Sequence, residues 1–147
     1  MSKFEYPIRV YPHHTDYGGI VWHGAYVAWL EEARVEVLRQ MELPFEQLVD
    51  ADINLVVADM ALTYRRPLQM GIDAVVLLSP SPPKGIRLPW EYELRSPDYE
   101  TLFLTATVTL APVNCSGRIY RRIPETVTKF YAAIEQRLST GNISLAP

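Results

Sequence analysis

The amino-acid sequence predicts an α+β domain in which antiparallel strands wrap one long helix. The first observation is a set of apolar residues at helical spacing between positions 26 and 41. The second is a series of apolar or alternating segments between positions 54 and 111, separated by proline and glycine. The 147 residues suit a single domain, 1–147, which can bury about two thirds of the surface that the unfolded chain exposes.

A short strand, a loop and the long helix are expected in the first third of the chain. The strand spans 4–11, where Pro7 suits an edge because it cannot donate to a ladder. The loop at 13–24 contains a glycine pair, which permits backbone angles that other residues disfavour. Pro44 lies just past the expected end of the helix. The apolar stripe of that helix is Tyr26, Leu30, Ala33, Val37 and Met41.

Strands and a final helix are expected in the remainder of the chain. Segment 72–79 is nearly continuously apolar, which is typical of an interior strand covered on both faces. Pro124 opens the final helix at a position that tolerates its missing N–H, and Gly141 is expected to close it. The other predicted elements are a helical turn at 45–52, strands at 54–66, 88–95 and 101–111, and a final apolar stripe of Val127, Phe130, Ile134 and Leu138.

The composition disfavours several classes of function. A net charge of −3 and 21% charged residues provide no overall attraction to nucleic acid or to an anionic membrane. No apolar run approaches the ~20 residues of a membrane span. The single cysteine, Cys115, excludes an intramolecular disulfide and has no basic neighbour before Arg118 to activate it. We therefore expect a cytoplasmic protein with no membrane span and no nucleic-acid partner.

Residues that can carry chemistry concentrate between Tyr11 and Arg39. This stretch holds all three histidines and also Asp16, which lies in the loop before the long helix. Unpaired amides at a helix N-terminus favour a developing negative charge, so Asp16 and the amides near His23 form the candidate site. An aspartate in such a loop also commonly caps a turn, and this alternative stays open.

A metal site is the less favoured interpretation of the same residues. Imidazole and carboxylate groups bind zinc or iron, but the spacing of His13, His14, Asp16 and His23 matches no metal motif. The adjacent His13 and His14 would also point in different directions in an extended chain. We expect no metal and no organic cofactor.

The run from residue 16 to residue 34 carries a resemblance to a known family. It reads D-Y-G-G-I-V-W-H-G-A-Y-V-A-W-L-E-E-A-R and resembles the signature of the 4-hydroxybenzoyl-CoA thioesterase family. It is also similar to the acyl-CoA thioesterases associated with the bacterial Tol-Pal system. The resemblance implies a hotdog fold, with a curved antiparallel sheet around one long central helix. It further implies a homodimer or homotetramer with active sites between subunits, and hydrolysis of acyl-CoA.

The resemblance assigns roles by position. Asp16 is the catalytic carboxylate, which attacks the acyl carbon or activates a water molecule that does so. The backbone N–H of His23 polarises the thioester carbonyl. The His23 imidazole either orients Asp16 or a water molecule, or is held by a carbonyl at the edge of the core. Three alternatives stay open: an acyl-carrier-protein thioesterase, a hydratase or dehydratase of the same fold, and a non-catalytic acyl-CoA-binding protein.

Substrate contacts are expected from two kinds of side chain. Apolar and aromatic groups of the loop and the first helical turns suit an acyl group, whereas cations at strand ends and turns suit the phosphates of CoA. Glu31 and Glu32 are expected on a solvated or salt-bridged helix face. The predicted acyl-side contacts are Tyr17, Gly19, Val21, Trp22 and Tyr26, and the predicted phosphate contacts are Arg65, Arg66, Lys84 and Arg87.

Overall fold

The computed structural model describes residues 3–140, which form five strands, three α-helices and one short 3₁₀ turn at Pro12–His14. Gly141, the predicted end of the last helix, lies outside these residues. The strands are β1 (Phe4–Arg9), β2 (Asn54–Tyr64), β3 (Asp73–Pro80), β4 (Leu88–Arg95) and β5 (Leu102–Val113), and the helices are α1 (His23–Gln40), α2 (Glu46–Asp50) and α3 (Glu125–Ser139).

The central helix α1 lies against a single sheet with the strand order β1-β3-β4-β5-β2, in which every pairing is antiparallel. All five residues of the predicted apolar stripe are buried. The helix begins three residues before that stripe, because Trp22 is still extended and His23 takes the first helical position. The α+β class and the central helix are therefore confirmed.

Strand β3 is interior, between β1 and β4. Of its six residues from Ala74 to Ser79, all but one are buried. Strand β1 ends at Arg9, two residues earlier than predicted, because the 3₁₀ turn begins at Pro12. Strand β2 forms the opposite edge of the sheet, and its pairing with β5 shifts between Val57 and Asp59. This bulge changes which residues of β2 face α1, so the strict alternation predicted for 54–66 is interrupted.

Helix α3 closes one side of the core. Its buried residues include Phe130 and Tyr131. The Phe130 ring lies 6.2 Å from that of Phe45, and Trp90 Nε1 donates a 3.0 Å hydrogen bond to the Tyr131 hydroxyl. The buried part of the predicted final stripe is thereby confirmed. Among residues 3–140, no helix combines the length and the apolar character needed to cross a membrane.

Candidate active site

Asp16 lies in a small hairpin that leads directly into α1. Asp16 N–H donates to the Ile20 carbonyl at 2.7 Å, and Gly19 N–H donates to the Asp16 carbonyl at 3.1 Å. Gly19 has a φ of +74°, a left-handed angle that glycine adopts without strain. The Trp22 N–H then donates to the His14 carbonyl at 3.2 Å, one residue before α1 begins.

The carboxylate of Asp16 has one oxygen engaged by the turn and one that is open. Oδ1 accepts hydrogen bonds from the N–H groups of Gly18 (2.9 Å) and Ile20 (3.3 Å). Oδ2 accepts no hydrogen bond from any residue within 3–140, and the side chain is exposed. The turn-capping interpretation is therefore correct for Oδ1, and Oδ2 is available for chemistry.

The hairpin is fixed to the loop that follows β2. Val21 N–H donates to the Leu68 carbonyl at 2.8 Å, and Met70 N–H donates to the Gly19 carbonyl at 3.0 Å. These backbone bonds hold both ends of the turn, so the position of Asp16 does not depend on its own side chain alone. Nothing in the local sequence pattern of residues 67–70 signals this role.

The paired histidines anchor the start of the hairpin. They lie in a 3₁₀ turn with ring centroids 4.0 Å apart, so the divergence expected of an extended chain does not apply to His13 and His14. The His14 Nδ1 accepts a 3.0 Å hydrogen bond from the Tyr11 N–H, and its ring lies 4.9 Å from that of Trp29. Burial, and then the neighbouring His13, lowers the pKa of His14. No three His, Cys, Asp or Glu side chains in the described chain are grouped to hold a metal ion.

The N-terminus of α1 has no side-chain cap. The Ala25 N–H donates to the Trp22 carbonyl at 3.0 Å. The N–H groups of His23 and Gly24 have no acceptor within the helix, which leaves these two available to an external oxygen. The Tyr64 hydroxyl donates to the His23 carbonyl at 3.0 Å, so β2 positions this end of the helix. Sequence analysis missed that role of Tyr64, because the two residues lie 41 positions apart.

The His23 imidazole is exposed and lies edge-on to Trp22, with ring centroids 5.4 Å apart. Within residues 3–140 it bonds neither to Asp16 nor to a carbonyl. The structure thus shows neither the contact with Asp16 nor the contact with a carbonyl, and orientation of a water molecule by this imidazole stays a prediction. The backbone of His23 keeps its predicted position at the helix start.

The Trp22 indole covers the first turn of α1 at Gly24. A Cβ built on Gly24 would lie 2.2 Å from the indole carbons Cη2 and Cζ3, which is far inside van der Waals contact. Gly24 therefore permits the indole to approach the helix backbone. Trp22 itself is 47% exposed, so one face of the ring remains open beside the helix N-terminus.

A groove of about 380 Å³ runs from this turn along α1. We call it the α1–β2 groove. It lies between the helix and the β2 edge of the sheet, and its volume is at the small end of ligand pockets. Its walls include Gly24, Val27, Ala28 and Glu31 of α1, with Met60 and Val108 of the sheet.

The predicted acyl contacts are not gathered into one pocket. Tyr17 is fully exposed at the tip of the hairpin. Val21 and Tyr26 are buried in the core, and the Tyr26 ring lies 5.2 Å from that of Tyr64 and 5.6 Å from that of Trp29. Burial raises the pKa of Tyr26. The structure thus places Val21 and Tyr26 in the core, and their contact with an acyl group stays a prediction.

The four predicted phosphate contacts lie at opposite ends of β5. Arg65 and Arg66 follow Tyr64, which pairs with Leu104, and both donate their N–H groups to the Phe103 carbonyl. Lys84 and Arg87 form a turn just before Leu88, which pairs with Leu110. Six residues of strand separate the two pairing positions, or roughly 20 Å. One chain therefore does not bring the four cations together.

Cys115 lies outside this arrangement. Its N–H donates to Asp52 Oδ1 at 2.9 Å, and the Asp52 carboxylate raises the pKa of its thiol. A raised pKa disfavours the reactive thiolate. The structure thus gives Cys115 the opposite of an activated environment.

The chain is similar to several known proteins. The sequence pattern of the thioesterase-like superfamily matches residues 10–134. The Synechocystis protein sll0410, assigned as an esterase, is 38% identical over 134 residues, which cover 90% of this chain and 81% of that protein. The acyl-CoA thioesterase YbgC of Haemophilus influenzae is 33% identical over 115 residues, which cover 77% of this chain and 82% of that protein. A protein from Bartonella henselae, assigned as a thioesterase, is 28% identical in sequence, and its crystal structure matches with a TM-score of 0.73. That match covers 84% of this chain and 100% of the Bartonella chain.

Proposed function

The chain belongs to the thioesterase-like superfamily, and from this premise we propose that it hydrolyses acyl-CoA thioesters to a free acid and CoA. Membership makes it a thioester hydrolase with a hotdog fold, as the sequence resemblance predicted. The acyl-CoA substrate, the catalytic residues and the dimer described below are our proposals.

One observation carries the proposed chemistry. Asp16 is exposed, and its Oδ2 atom accepts no hydrogen bond within 3–140. It lies on a hairpin that hydrogen bonds hold before the N-terminus of an 18-residue helix. A carboxylate and the unpaired amides of His23 and Gly24 thus lie on consecutive segments of the chain. Carboxylates act as bases or nucleophiles, and preorganised amides stabilise the oxyanion that forms in acyl transfer.

The proposed mechanism divides the work between these two groups. Asp16 Oδ2 attacks the thioester carbon, or removes a proton from a water molecule that attacks it. Negative charge develops on the former carbonyl oxygen, where N–H groups of the first turn of α1 stabilise it. The C–S bond then breaks, and CoA leaves as a thiolate that takes up a proton. If Oδ2 is the nucleophile, water hydrolyses the resulting anhydride and restores Asp16.

A second copy of the chain would complete the proposed binding site for CoA. The edge strand β2 is 11 residues long and exposes Val56 and Val57, whereas the other edge strand, β1, is short and contains Pro7. Long apolar edges invite pairing with another strand, and proline disfavours it. We therefore propose a homodimer in which β2 of one copy pairs antiparallel with β2 of the other.

This pairing would bring the separated cations together. A two-fold axis reverses the strand direction, so the Lys84–Arg87 turn of the partner would lie at the end of the sheet where Arg65 and Arg66 are found. That turn precedes β4 of the partner, three strands beyond β2, or about 14 Å away at normal strand spacing. The phosphates of one extended CoA molecule could bridge such a distance.

The test of the function is release of free thiol from short, long, branched and aromatic acyl-CoAs. We expect turnover of at least one class without added metal. If no CoA ester releases thiol, the same assay with acyl-carrier-protein thioesters decides whether the carrier is the substrate instead. Binding of acyl-CoA without turnover of either ester type would contradict the proposed hydrolysis and favour a non-catalytic binding protein.

A further inference from the structure

The two free amides at the start of α1 differ in what lies beside them. Within residues 3–140, the N–H groups of His23 and Gly24 donate to no acceptor. Gly24 lines the α1–β2 groove, whereas His23 is not among the residues that line it. Of the two free donors, the Gly24 N–H is therefore the one beside a space that can hold a ligand.

The Gly24 N–H shares a peptide group with the carbonyl of His23. The Tyr64 hydroxyl donates a 3.0 Å hydrogen bond to that carbonyl. A carbonyl oxygen has two lone pairs, so it can accept this bond beside a helical one. A hydrogen bond accepted by the carbonyl draws electron density through the planar, delocalised peptide group and makes its N–H a stronger donor. The Tyr64 hydroxyl therefore acts on the Gly24 N–H through a single peptide group.

Strand pairing and a ring contact hold Tyr64 in position. Tyr64 is the last residue of β2, where it pairs with Leu104 of β5. Its ring lies 5.2 Å from that of Tyr26 in an edge-on arrangement, and Tyr26 is buried on α1. Edge-on aromatic pairs of this separation are favourable. The sheet thus holds the hydroxyl against the first carbonyl of the helix.

Tyr120 makes the same kind of hydrogen bond in a different setting. Its hydroxyl donates to the Asp52 carbonyl at 2.7 Å. The N–H of that peptide group belongs to Ile53 and already donates to the Leu48 carbonyl at 2.8 Å. The N–H that Tyr120 polarises is thus engaged inside the fold. The N–H that Tyr64 polarises is free for an external oxygen.

We propose that Tyr64 is a positioning residue, which fixes and polarises the peptide group between His23 and Gly24 so that the Gly24 N–H donates to the thioester oxygen. This inference rests on the proposed function, because it takes thioester hydrolysis at the start of α1 as the reaction. Negative charge grows on that oxygen during the attack, so a stronger donor stabilises the transition state more than the bound substrate. Tyr64 should therefore affect kcat and not KM.

The first test is Tyr64→Phe, which keeps the ring and removes the hydroxyl. Loss of a whole oxyanion donor costs roughly 100- to 1,000-fold in kcat, and one hydrogen bond strengthens its neighbour by about 10–30%. That share corresponds to about two- to eightfold, so kcat should fall about fivefold with KM unchanged. Tyr120→Phe is the matched control, because it removes the same kind of bond and should leave kcat unchanged.

Nitrogen-15 NMR of the free chain separates polarisation from a general loss of structure. Losing the hydrogen bond at a carbonyl shields the nitrogen of the same peptide group. Tyr64→Phe should therefore move the nitrogen resonance of Gly24 to lower frequency, and Tyr120→Phe should do the same at Ile53 while Gly24 stays in place. An unmoved Gly24 resonance, or a native kcat in a folded Tyr64→Phe chain, would overturn the inference.

A second variant keeps the inference testable if Tyr64→Phe does not fold. Replacing Tyr64 by 3-fluorotyrosine retains the hydroxyl and makes it a stronger donor. At a pH where this hydroxyl stays protonated, kcat should rise above that of the native chain. An equal or lower kcat would contradict the proposed role of the hydroxyl.

Failure of this inference is separable from failure of the proposed function, which turnover of the native chain reports alone. Ketone analogues of acetyl-, octanoyl- and benzoyl-CoA, with a methylene group in place of the thioester sulfur, test the donor without turnover. Their carbonyl should move the Gly24 amide proton to higher frequency, and by less in Tyr64→Phe than in the native chain. A shift at His23 alone, or no shift at Gly24, would overturn the inference whether or not the chain is a hydrolase.

Discussion

Two turns of this chain carry the same dipeptide, Asp-Tyr, and nearly the same hydrogen bonds. Asp16 Oδ1 accepts from the Gly18 N–H two residues on, at 2.9 Å, and Asp98 Oδ1 accepts from the Glu100 N–H two residues on, at 3.0 Å. Each carboxylate caps its turn through a second donor as well, which is the Ile20 N–H for Asp16 and the Ser96 hydroxyl for Asp98. By local geometry alone, both are turn-capping aspartates.

Their surroundings differ. The Asp98 turn only joins β4 to β5, where the Ser96 N–H donates to the Thr101 carbonyl at 2.9 Å. The Ser96 hydroxyl, and then the Glu100 N–H, lowers the pKa of Asp98. The Asp16 turn leads into the uncapped N-terminus of α1 and is fixed to Leu68 by a backbone hydrogen bond. The comparison teaches that placement beside a helix N-terminus, and not the turn motif, marks Asp16 as the candidate catalytic group.

The largest expected effect separates the two aspartates. Asp16→Asn should lower kcat/KM by about 100-fold or more, because the amide keeps the turn-capping oxygen but is neither a base nor a nucleophile. Asp98→Asn makes the same chemical change in the matched turn and should leave activity within about twofold. Thiol release and thermal unfolding, measured on both variants, check this.

Two outcomes would remove the distinction between the turns. Equal activity of the two variants would leave Asp16 as a turn cap only. Loss of folding in Asp16→Asn, with Asp98→Asn intact, would show that the hairpin depends on the charge itself. The milder Asp16→Glu variant would then be needed to measure activity.

The next effect tests whether the Asp16 site extends into a second copy. Lys84→Ala combined with Arg87→Ala should raise KM about tenfold and leave kcat nearly unchanged, because the lost contacts are to phosphate and not to the reacting atoms. The matched control is Arg121→Ala with Arg122→Ala, which removes two exposed cations elsewhere. Steady-state kinetics with one acyl-CoA measure both.

Mixing the Asp16→Asn chain, which is expected to be inactive, with the Lys84→Ala/Arg87→Ala chain tests directly whether one site is shared between two chains. After subunit exchange, each mixed dimer contains one site with a native Asp16 and the native cations of its partner. Random pairing then restores about a quarter of native sites. If each site were contained within one chain, no native site would form, and activity at low substrate concentration would not rise above the mean of the two variants.

Features that depend on neighbouring residues in the chain could be predicted from the sequence, whereas features that depend on distant residues could not. The stripe of α1 and the position of Asp16 could be predicted because helical periodicity and the run 16–34 are local patterns. The bulge in β2 and the bond from Tyr64 to the His23 carbonyl could not, since both depend on residues distant in the chain. The contact between the rings of Tyr26 and Tyr64 likewise depends on residues distant in the chain.

A smaller effect is expected where the Asp16 turn joins the helix. Gly24→Ala places a Cβ 2.2 Å from two carbons of the Trp22 indole, so the ring must move away from the first turn. Displacement at the helix N-terminus should lower kcat roughly fivefold, because the carbonyl and the amides lose their alignment. Stopped-assay kinetics and the tryptophan emission maximum report the two changes, and the Asp98 turn should be unaffected.

A double-mutant cycle decides whether the indole is the cause. If Gly24→Ala acts by displacing Trp22, the combination of Trp22→Ala and Gly24→Ala should be no slower than Trp22→Ala alone. Additive losses would instead mean that the added methyl group itself obstructs the α1–β2 groove. Either result also shows whether Gly24 has a role besides allowing the Trp22 ring to approach the helix backbone.

The smallest expected effect is a pH dependence of stability that arises at His14, beside the Asp16 turn. His14 anchors the hairpin, and burial followed by the charge of His13 lowers its pKa below the ordinary value of 6.5. The unfolded chain therefore binds this proton more readily than the folded chain does. Stability is full above pH 6.5 and falls as the pH decreases through that value towards the lower pKa of the folded state.

His14→Asn should flatten this slope, because the asparagine oxygen can still accept the hydrogen bond from the Tyr11 N–H but does not titrate. Between pH 8 and pH 6, the melting temperature of the native chain should fall by more than that of the variant. His13→Asn should reduce the slope only in part, since it removes the second cause of the lowered pKa and leaves burial in place. Parallel melting curves for all three chains would mean that His14 anchors the hairpin through packing against Trp29, in either protonation state.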